Sequence, residues 1–234
     1  MISVIITNYK HQQYLMCAVQ SILNQTYQDF EIIIINDDPD VDIDAYETID
    51  NRIKVYNNSE HSGQVFSINR GTKLARGEYI AYQDADDHSI PCRLGIELKT
   101  IKQGFDIVYS DCITKRNNKD HYTKAPWACL ETLKYRSVGV WSSVMVSAKF
   151  AQDTPYVYRG YGNDRIWWID ALHKTNKVAY IPLPLYYYRF DTGNYRNRTP
   201  IIRRFHHKKL KEKLQKAAED RFRYWADLAQ QNKK

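Results

Sequence analysis

Gly77-Glu78-Tyr79-Ile80-Ala81-Tyr82-Gln83-Asp84-Ala85-Asp86-Asp87 is the stretch from which the rest of this chain is read. Ile80 and Tyr82 alternate with smaller or more polar neighbours, as in a strand, and this strand runs straight into three carboxylates. Open α/β sheets bind ligands at the carboxyl ends of their strands, so the acids fall where chemistry is done. Residues two apart on an extended chain share a side; Asp84 and Asp86 are expected to face one cavity, and Asp87 to face elsewhere. Two converging carboxylates repel each other unless a cation sits between them. Mn²⁺ or Mg²⁺ suits that place, being a hard ion that takes oxygen ligands and keeps positions open for phosphate oxygens. An acidic turn that merely ends a strand is the competing reading, and Asp-x-Asp alone does not choose between them.

Working outward, strands and helices alternate on both sides of this stretch. Ile2 to Thr7 reads as a buried strand, followed by a helix carrying Leu15, Ala18, Ile22 and Leu23 at helical spacing. Phe30 to Ile35 is an unbroken β-branched run of the kind covered by helices on both faces, and it too ends on acids, Asn36-Asp37-Asp38. A short helical piece near Asp44 to Ile49, a strand at Ile53 to Tyr56 and a helix from Gln64 to Ala75 lead into the acidic strand. Such alternation predicts an α/β fold with a mostly parallel, Rossmann-like sheet flanked by helices. Neither Gly-x-Gly-x-x-Gly nor a phosphate loop follows the first strand, which argues against a dinucleotide fold and a P-loop.

Composition narrows the class further. The 234 residues carry a net charge of +7, yet Arg196 to Lys234 hold 13 Lys and Arg against 4 Asp and Glu, so the first 195 residues are slightly acidic. Nucleic-acid binding would need that basicity on the folded body, and no nucleic-acid partner is expected. Cys17, Cys92, Cys112 and Cys129 show no zinc spacing and are read as reduced thiols. Met1 to Thr7 lacks a basic leader, which predicts a cytoplasmic protein.

Five blocks now carry a resemblance. Ser3-Val4-Ile5-Ile6-Thr7-Asn8-Tyr9, Ser21 to Tyr27, Asn36-Asp37-Asp38, Ala75 to Ile80 and Asp84-Ala85-Asp86-Asp87 resemble, in order and spacing, the signatures of family 2 glycosyltransferases with the GT-A fold. The resemblance is dense over the first 95 residues and thinner to about Arg189. It implies an inverting transferase that moves a sugar from a nucleotide diphosphate sugar, UDP-linked in the first instance, to an acceptor hydroxyl of a glycan or lipid-linked glycan. Carried over residue by residue, Thr7, Tyr9, Asn69 and Asp84 would bind the nucleotide, and Asp38 would accept a hydrogen bond from its base. Asp86, with Asp84, would hold the metal. Two departures stand out. Ile68 occupies the place where relatives carry Arg before the Asn, leaving Arg70 or Lys73 as substitutes, and Asp37-Asp38-Pro39-Asp40 replaces Asp-Asp-Gly-Ser. The organisation implied is a transferase domain over 1–195, with a nucleotide-sugar half at 1–95 and an acceptor half at 96–195, then a basic helical tail at 196–234.

In the acceptor half, Phe105 to Asp111 and Trp141 to Val146 read as strands, and Cys112 to Lys124 as a hairpin or loop. Gly162-Asn163-Asp164-Arg165 resembles the family's acidic motif at a helix start. Asp164 there fits the catalytic base, which a helix's first turn would keep ionised, against the alternative of ordinary helix capping. Tyr156, Tyr158, Tyr161, Trp167, Trp168 and Tyr186 to Tyr188 give aromatic faces for sugar rings, with core packing the expected role of most. Val178 to Pro182 and Leu185 to Arg189 read as closing strands, and Asp191 to Arg196 as a lid to which Arg196 or Arg198 would add charge. From Pro200 a basic amphipathic helix with Leu210, Leu214, Ala217, Ala218, Trp225 and Leu228 on one stripe is open to three uses: peripheral membrane contact through 200–234, a partner or oligomer contact, or packing on its own domain. Two other function classes stay open, a sugar-phosphate nucleotidyltransferase and a non-catalytic basic scaffold.

Overall fold

The computed structural model describes residues 1–116, 118–158, 160, 162–189 and 200–231, with backbone alone at 200–211 and 229. Its first half follows the expected alternation: β1 (Ile2–Asn8), α1 (Gln12–Leu23), β2 (Phe30–Asn36), a 3-10 turn (Asp44–Thr48), β3 (Ile53–Asn57), α2 (Gln64–Leu74) and β4 (Tyr79–Asp84). There follow β5 (His88–Ser89), α3 (Arg93–Ile101), β6 (Ile107–Arg116), β7 (Lys119–Thr123), α4 (Leu130–Leu133), β8 (Val144–Ser147), α5 (Ala148–Asp153), α6 (Asn163–Lys174), β9 (Val178–Arg189) and α7 (Pro200–Gln231). Among the described residues the strands form one sheet in the order β3-β2-β1-β4-β8-β6-β9-β5, with β7 on the outer side of β6.

The pairing is parallel from β3 through β4, and β8 enters antiparallel between β4 and β6. β1 is the turning point of the strand order, because the chain steps outward to β3 and then crosses back to β4 on the other side of β1. At such a reversal the loops leave in opposite directions and open a crevice at the strand ends. Register fixes where that crevice lies. Thr7 pairs with both Ile35 and Asp84, and Asn8 with Asn36, so three strand tips end level with one another.

Both faces of the sheet are covered, as the β-branched runs require. Ile2, Val4 and Ile6 pack with Leu15, Val19 and Ile22 of α1 and with Leu94, Leu98 and Ile101 of α3. Ile5 faces the opposite layer, where α2 contributes Val65 and Ile68 and α6 contributes Ile166 to Ile169. Gly77 is required by closeness, since a Cβ there would lie 2.6 Å from the backbone nitrogen of Ser3.

The hairpin reading of 112–124 is the one realised, as β6 and β7. Trp141 to Ser143 form a 3-10 turn instead of the start of β8, and the two closing strands are one, β9, with register irregularities near Asp111. Tail packing is also resolved. Leu214, Ala217 and Trp225 lie against the core layer that contains α6, Trp225 Nε1 donates to Asp170 Oδ1 at 2.9 Å, and Trp225 stacks on His173 at 5.1 Å. That part of the apolar stripe is therefore covered by the protein's own body. Among the described residues no helix is long and apolar enough to cross a membrane.

One buried ion pair ties β4 to the acceptor half. Arg93 is fully buried; its guanidinium donates to Glu97 at 3.0 Å, Ser89 at 3.0 Å and the Tyr82 carbonyl at 3.0 Å. Burial pushes the Glu97 carboxyl up to about 7, against the pull of the Arg93 guanidinium. Arg93→Met is expected to cost about 3–5 kcal/mol, because it strands a carboxyl and several carbonyls, and Glu97→Gln less than about 1.5 kcal/mol. Urea unfolding of the two variants checks this, and equal losses would contradict it.

Candidate active site

The three level strand tips open into a cleft of about 920 Å³. Its floor is Thr7, Asn8 and Tyr9 after β1, Asp37 after β2, and Asp84 to Asp86 at the end of β4; its far wall is Gly139 to Trp141 together with Asn163 and Asp164 at the start of α6. Four carboxylates line it, and among the described residues no Lys or Arg does. A side-chain lattice keeps the tips in place. Asn8 Nδ2 donates to Asn36 Oδ1 at 3.0 Å, and Asn36 Nδ2 donates to Asn57 Oδ1 at 3.0 Å and to the Val41 carbonyl at 2.8 Å.

Asp84 and Asp86 both reach the cleft, while Asp87 is 1% exposed and accepts from the Arg189 backbone N–H at 2.7 Å. Asp84 and Asp86 face the cleft and Asp87 does not, as expected, but by a turn and not by strand alternation, since β4 ends at Asp84 and Ala85 lines the cleft as well. Burial, with the charges of Asp86 and Asp164 adding to it, pushes Asp84 up to about 7. His11 stands beside Asp86, its Nδ1 3.7 Å from Oδ2. The His11 Nε2, on the cleft wall, is buried with no hydrogen-bond partner among the described residues, an arrangement that a polar ligand would complete.

Among the described residues no three His, Cys, Asp or Glu side chains converge closely enough to hold a metal unaided. Two neighbouring carboxylates in a cleft that no Lys or Arg lines among the described residues nevertheless fit Mn²⁺ or Mg²⁺. Such ions are commonly bound through one or two carboxylates plus substrate phosphates and water.

Asp164 also lies at the cleft, in the first turn of α6, and Ser137 Oγ donates to its Oδ2. Burial raises its pKa, so desolvation outweighs the helix N-terminus that was expected to keep it low.

Two residues expected at the nucleotide site do not line this cleft. Asp38 is not among the cleft residues; its carboxylate turns back to α1, where Gln12 Nε2 donates at 2.7 Å. Its neighbour Asp37 forms the wall instead, accepting from Asn58 at 2.6 Å and from the backbone N–H groups of Ser62 and Gly63 at 2.9 and 2.8 Å. Asn69 is likewise absent from the cleft, because both ends of its amide are used on the Tyr156 backbone at 2.8 and 2.9 Å. Arg70 does not replace the missing arginine either: it donates to the Asn57 carbonyl at 2.8 Å, away from the cleft. The proposed lid, including Arg196 and Arg198, and Tyr161 lie outside the described residues.

The sequence reading missed His61. Asp37 binds its Nδ1 at 2.8 Å, and its ring stacks on Tyr9 with centroids 3.8 Å apart. Gly63, at φ +88°, lets the loop turn so that Asp37 can cap it. No motif flagged His61; only the Gly63-containing loop hinted at a turn over the site.

The family described as Glycosyl transferase family 2 matches residues 3–159, and the chain belongs to that family. EpsH of Bacillus subtilis (strain 168) is 27% identical over 219 residues, which cover 82% of this chain and 62% of EpsH. S. aureus TarS 1-349 in complex with UDP-GlcNAc superposes with a TM-score of 0.68 at 16% identity, covering 82% of this chain and 59% of that one. The mannosyltransferase PcManGT from Pyrobaculum calidifontis, in complex with GDP-Man and Mn²⁺, has a TM-score of 0.60 at 12% identity over 80% of this chain and 56% of its own. The chain thus spans less than two thirds of each of these proteins. The fold is that of GT-A glycosyltransferases.

A carboxyl whose folded-state pKa lies above its unfolded value costs stability once the pH exceeds both. Metal-free protein at pH 8 is therefore expected to gain about 1–3 kcal/mol from Asp84→Asn, and the gain should shrink toward zero below about pH 3, where the carboxyl is largely protonated in both states. Urea unfolding in EDTA at the two pH values measures it; a destabilised variant at pH 8 would contradict the burial assigned to Asp84.

Proposed function

We propose that this glycosyltransferase is an inverting, metal-assisted enzyme that moves a sugar from a UDP-sugar to a hydroxyl of a glycan or lipid-linked glycan. One observation carries the reading: Asp84 and Asp86 from the end of β4 and Asp164 from a helix start share a cleft that no Lys or Arg lines among the described residues. The choice of a nucleotide-sugar donor is supported by the UDP-GlcNAc and GDP-Man complexes of the two structural neighbours, and uridine by the first of them.

In this reading Thr7 and Tyr9 line the nucleoside end, with His61 over the Tyr9 ring. Asp84 and Asp86 would hold the divalent ion. When bound, such an ion neutralises the charge that builds on the departing diphosphate. Asp164 takes the proton from the acceptor hydroxyl as that oxygen attacks the anomeric carbon from the side opposite the leaving group. Ser137 steadies one Asp164 oxygen by donating to it and leaves the other for the proton.

Asp164→Asn should lower turnover by about 10²–10⁴-fold, with UDP affinity in the presence of Mn²⁺ unchanged within about twofold. Transfer or slow hydrolysis measured across a panel of nucleotide sugars checks both halves. Unchanged turnover would remove Asp164 from the mechanism, and a panel that yields no consumption of any nucleotide sugar would remove the function.

A further inference from the structure

Next to the acidic cleft lies a second cavity of about 570 Å³ whose charge has the opposite sign. Arg116 at the end of β6, His121 on β7, Lys124 just beyond it and Arg136 after α4 all line it, and among its described lining residues no Asp or Glu appears. The two hollows meet, because Gly139, Val140 and Tyr188 line both. Ser137 lines the basic cavity and donates its hydroxyl to Asp164 at the edge of the cleft. A ligand seated there is therefore within one side chain of the group assigned as base.

Charge on this body is otherwise unremarkable, since the first 195 residues are slightly acidic and most basic residues sit in the tail. Many cationic side chains on this body already have carboxylate partners, as Arg52 with Asp50 and Lys149 with Asp153. Lys124 and Arg136 differ: both are exposed, and neither side chain has a hydrogen-bond or ion-pair partner among the described residues. Asp111, the nearest buried acid of this wall, is occupied by Tyr122, by Tyr180 at 2.7 Å and by the Ala125 N–H at 2.7 Å. Unpartnered cations converging on a concave surface are suited to a phosphate or carboxylate.

Resting on the transferase reading, we infer that this cavity binds the acceptor, and that the acceptor is an anionic saccharide or polyol whose phosphate or carboxylate lies close to the hydroxyl that receives the sugar. The division of labour follows from charge. The donor's diphosphate needs a cation that the acidic cleft does not itself supply through Lys or Arg, whereas the acceptor's anion is met by side chains directly. His121 adds charge where it is protonated, and Arg136 offers planar paired donors that match an oxyanion.

The test is calorimetric titration of the full chain, saturated with UDP and Mn²⁺, with glucose 1-phosphate, glucuronate and glucose in parallel. Glucose 1-phosphate or glucuronate should bind at least tenfold more tightly than glucose, and whichever of the two is preferred identifies the anion. The double variant Lys124→Ala, Arg136→Ala should lose that preference while its UDP affinity stays within twofold. Three results would overturn the inference: equal binding of charged and neutral sugars by the wild type, a preference that survives in the double variant, or a parallel tenfold loss of UDP affinity, which would assign the cavity to the donor. A wild-type chain that binds no UDP with Mn²⁺ would instead fell the transferase reading, and with it the acceptor role of the cavity.

Discussion

Repulsion between Asp84 and Asp86 is the constraint on which the rest of this structure turns. Both sit at the end of one strand, held level with the tips of two others by parallel registration of β1 with β2 and β4. Packing fixes the backbone there, with Ile5 beneath α2 and Ile6 beneath α1, so the acids are not free to swing apart. The cost shows in Asp84, pushed up to about 7 by burial and by its neighbours. A folded protein that tolerates such a site is using stability elsewhere to keep a ligand position open.

The network that supports the acidic strand lies on its other side. Arg93 binds the Tyr82 carbonyl, its cation lies 5.0 Å from the Tyr186 ring, and the Tyr186 hydroxyl receives the Asp84 N–H at 3.1 Å. The strand is thus anchored to β9 and α3 by buried polar contacts close to where its acids emerge. β8 pairs with both β4 and β6, so the strands on its two sides belong to one continuous sheet.

Much of this was legible in the sequence, and the reasons are specific. Alternation in Ile80 and Tyr82 and the β-branched runs of β1 and β2 announce buried strands, whereas the turn after Asp84 that carries Asp86 to the cleft and Asp87 away from it was not legible as alternation. Side-chain aim beyond the strand end was not legible. Asp37 and Asp38 are adjacent acids in a turn before a proline, and only the position of Gln12 on α1 decides which one turns inward. Asn69 was lost for a similar reason: its amide matches the Tyr156 backbone 87 residues away, a contact no local pattern contains. His61 reached the site through an exposed loop whose course depends on Asp37. The amphipathic stripe of α7 was visible, but whether it would meet a membrane or α6 depended on Asp170, which accepts from Trp225.

The central claim is that a divalent ion completes the donor site by offsetting this repulsion, and the thermal unfolding midpoint tests it most directly. Measured with UDP alone in EDTA, with Mn²⁺ alone, and with both, the midpoint should rise by several degrees only when ion and nucleotide are present together, since each supplies ligands or charge the other lacks. Protection by UDP of the same size in EDTA would mean that the carboxylates hold the nucleotide without a cation, and the account would be contradicted.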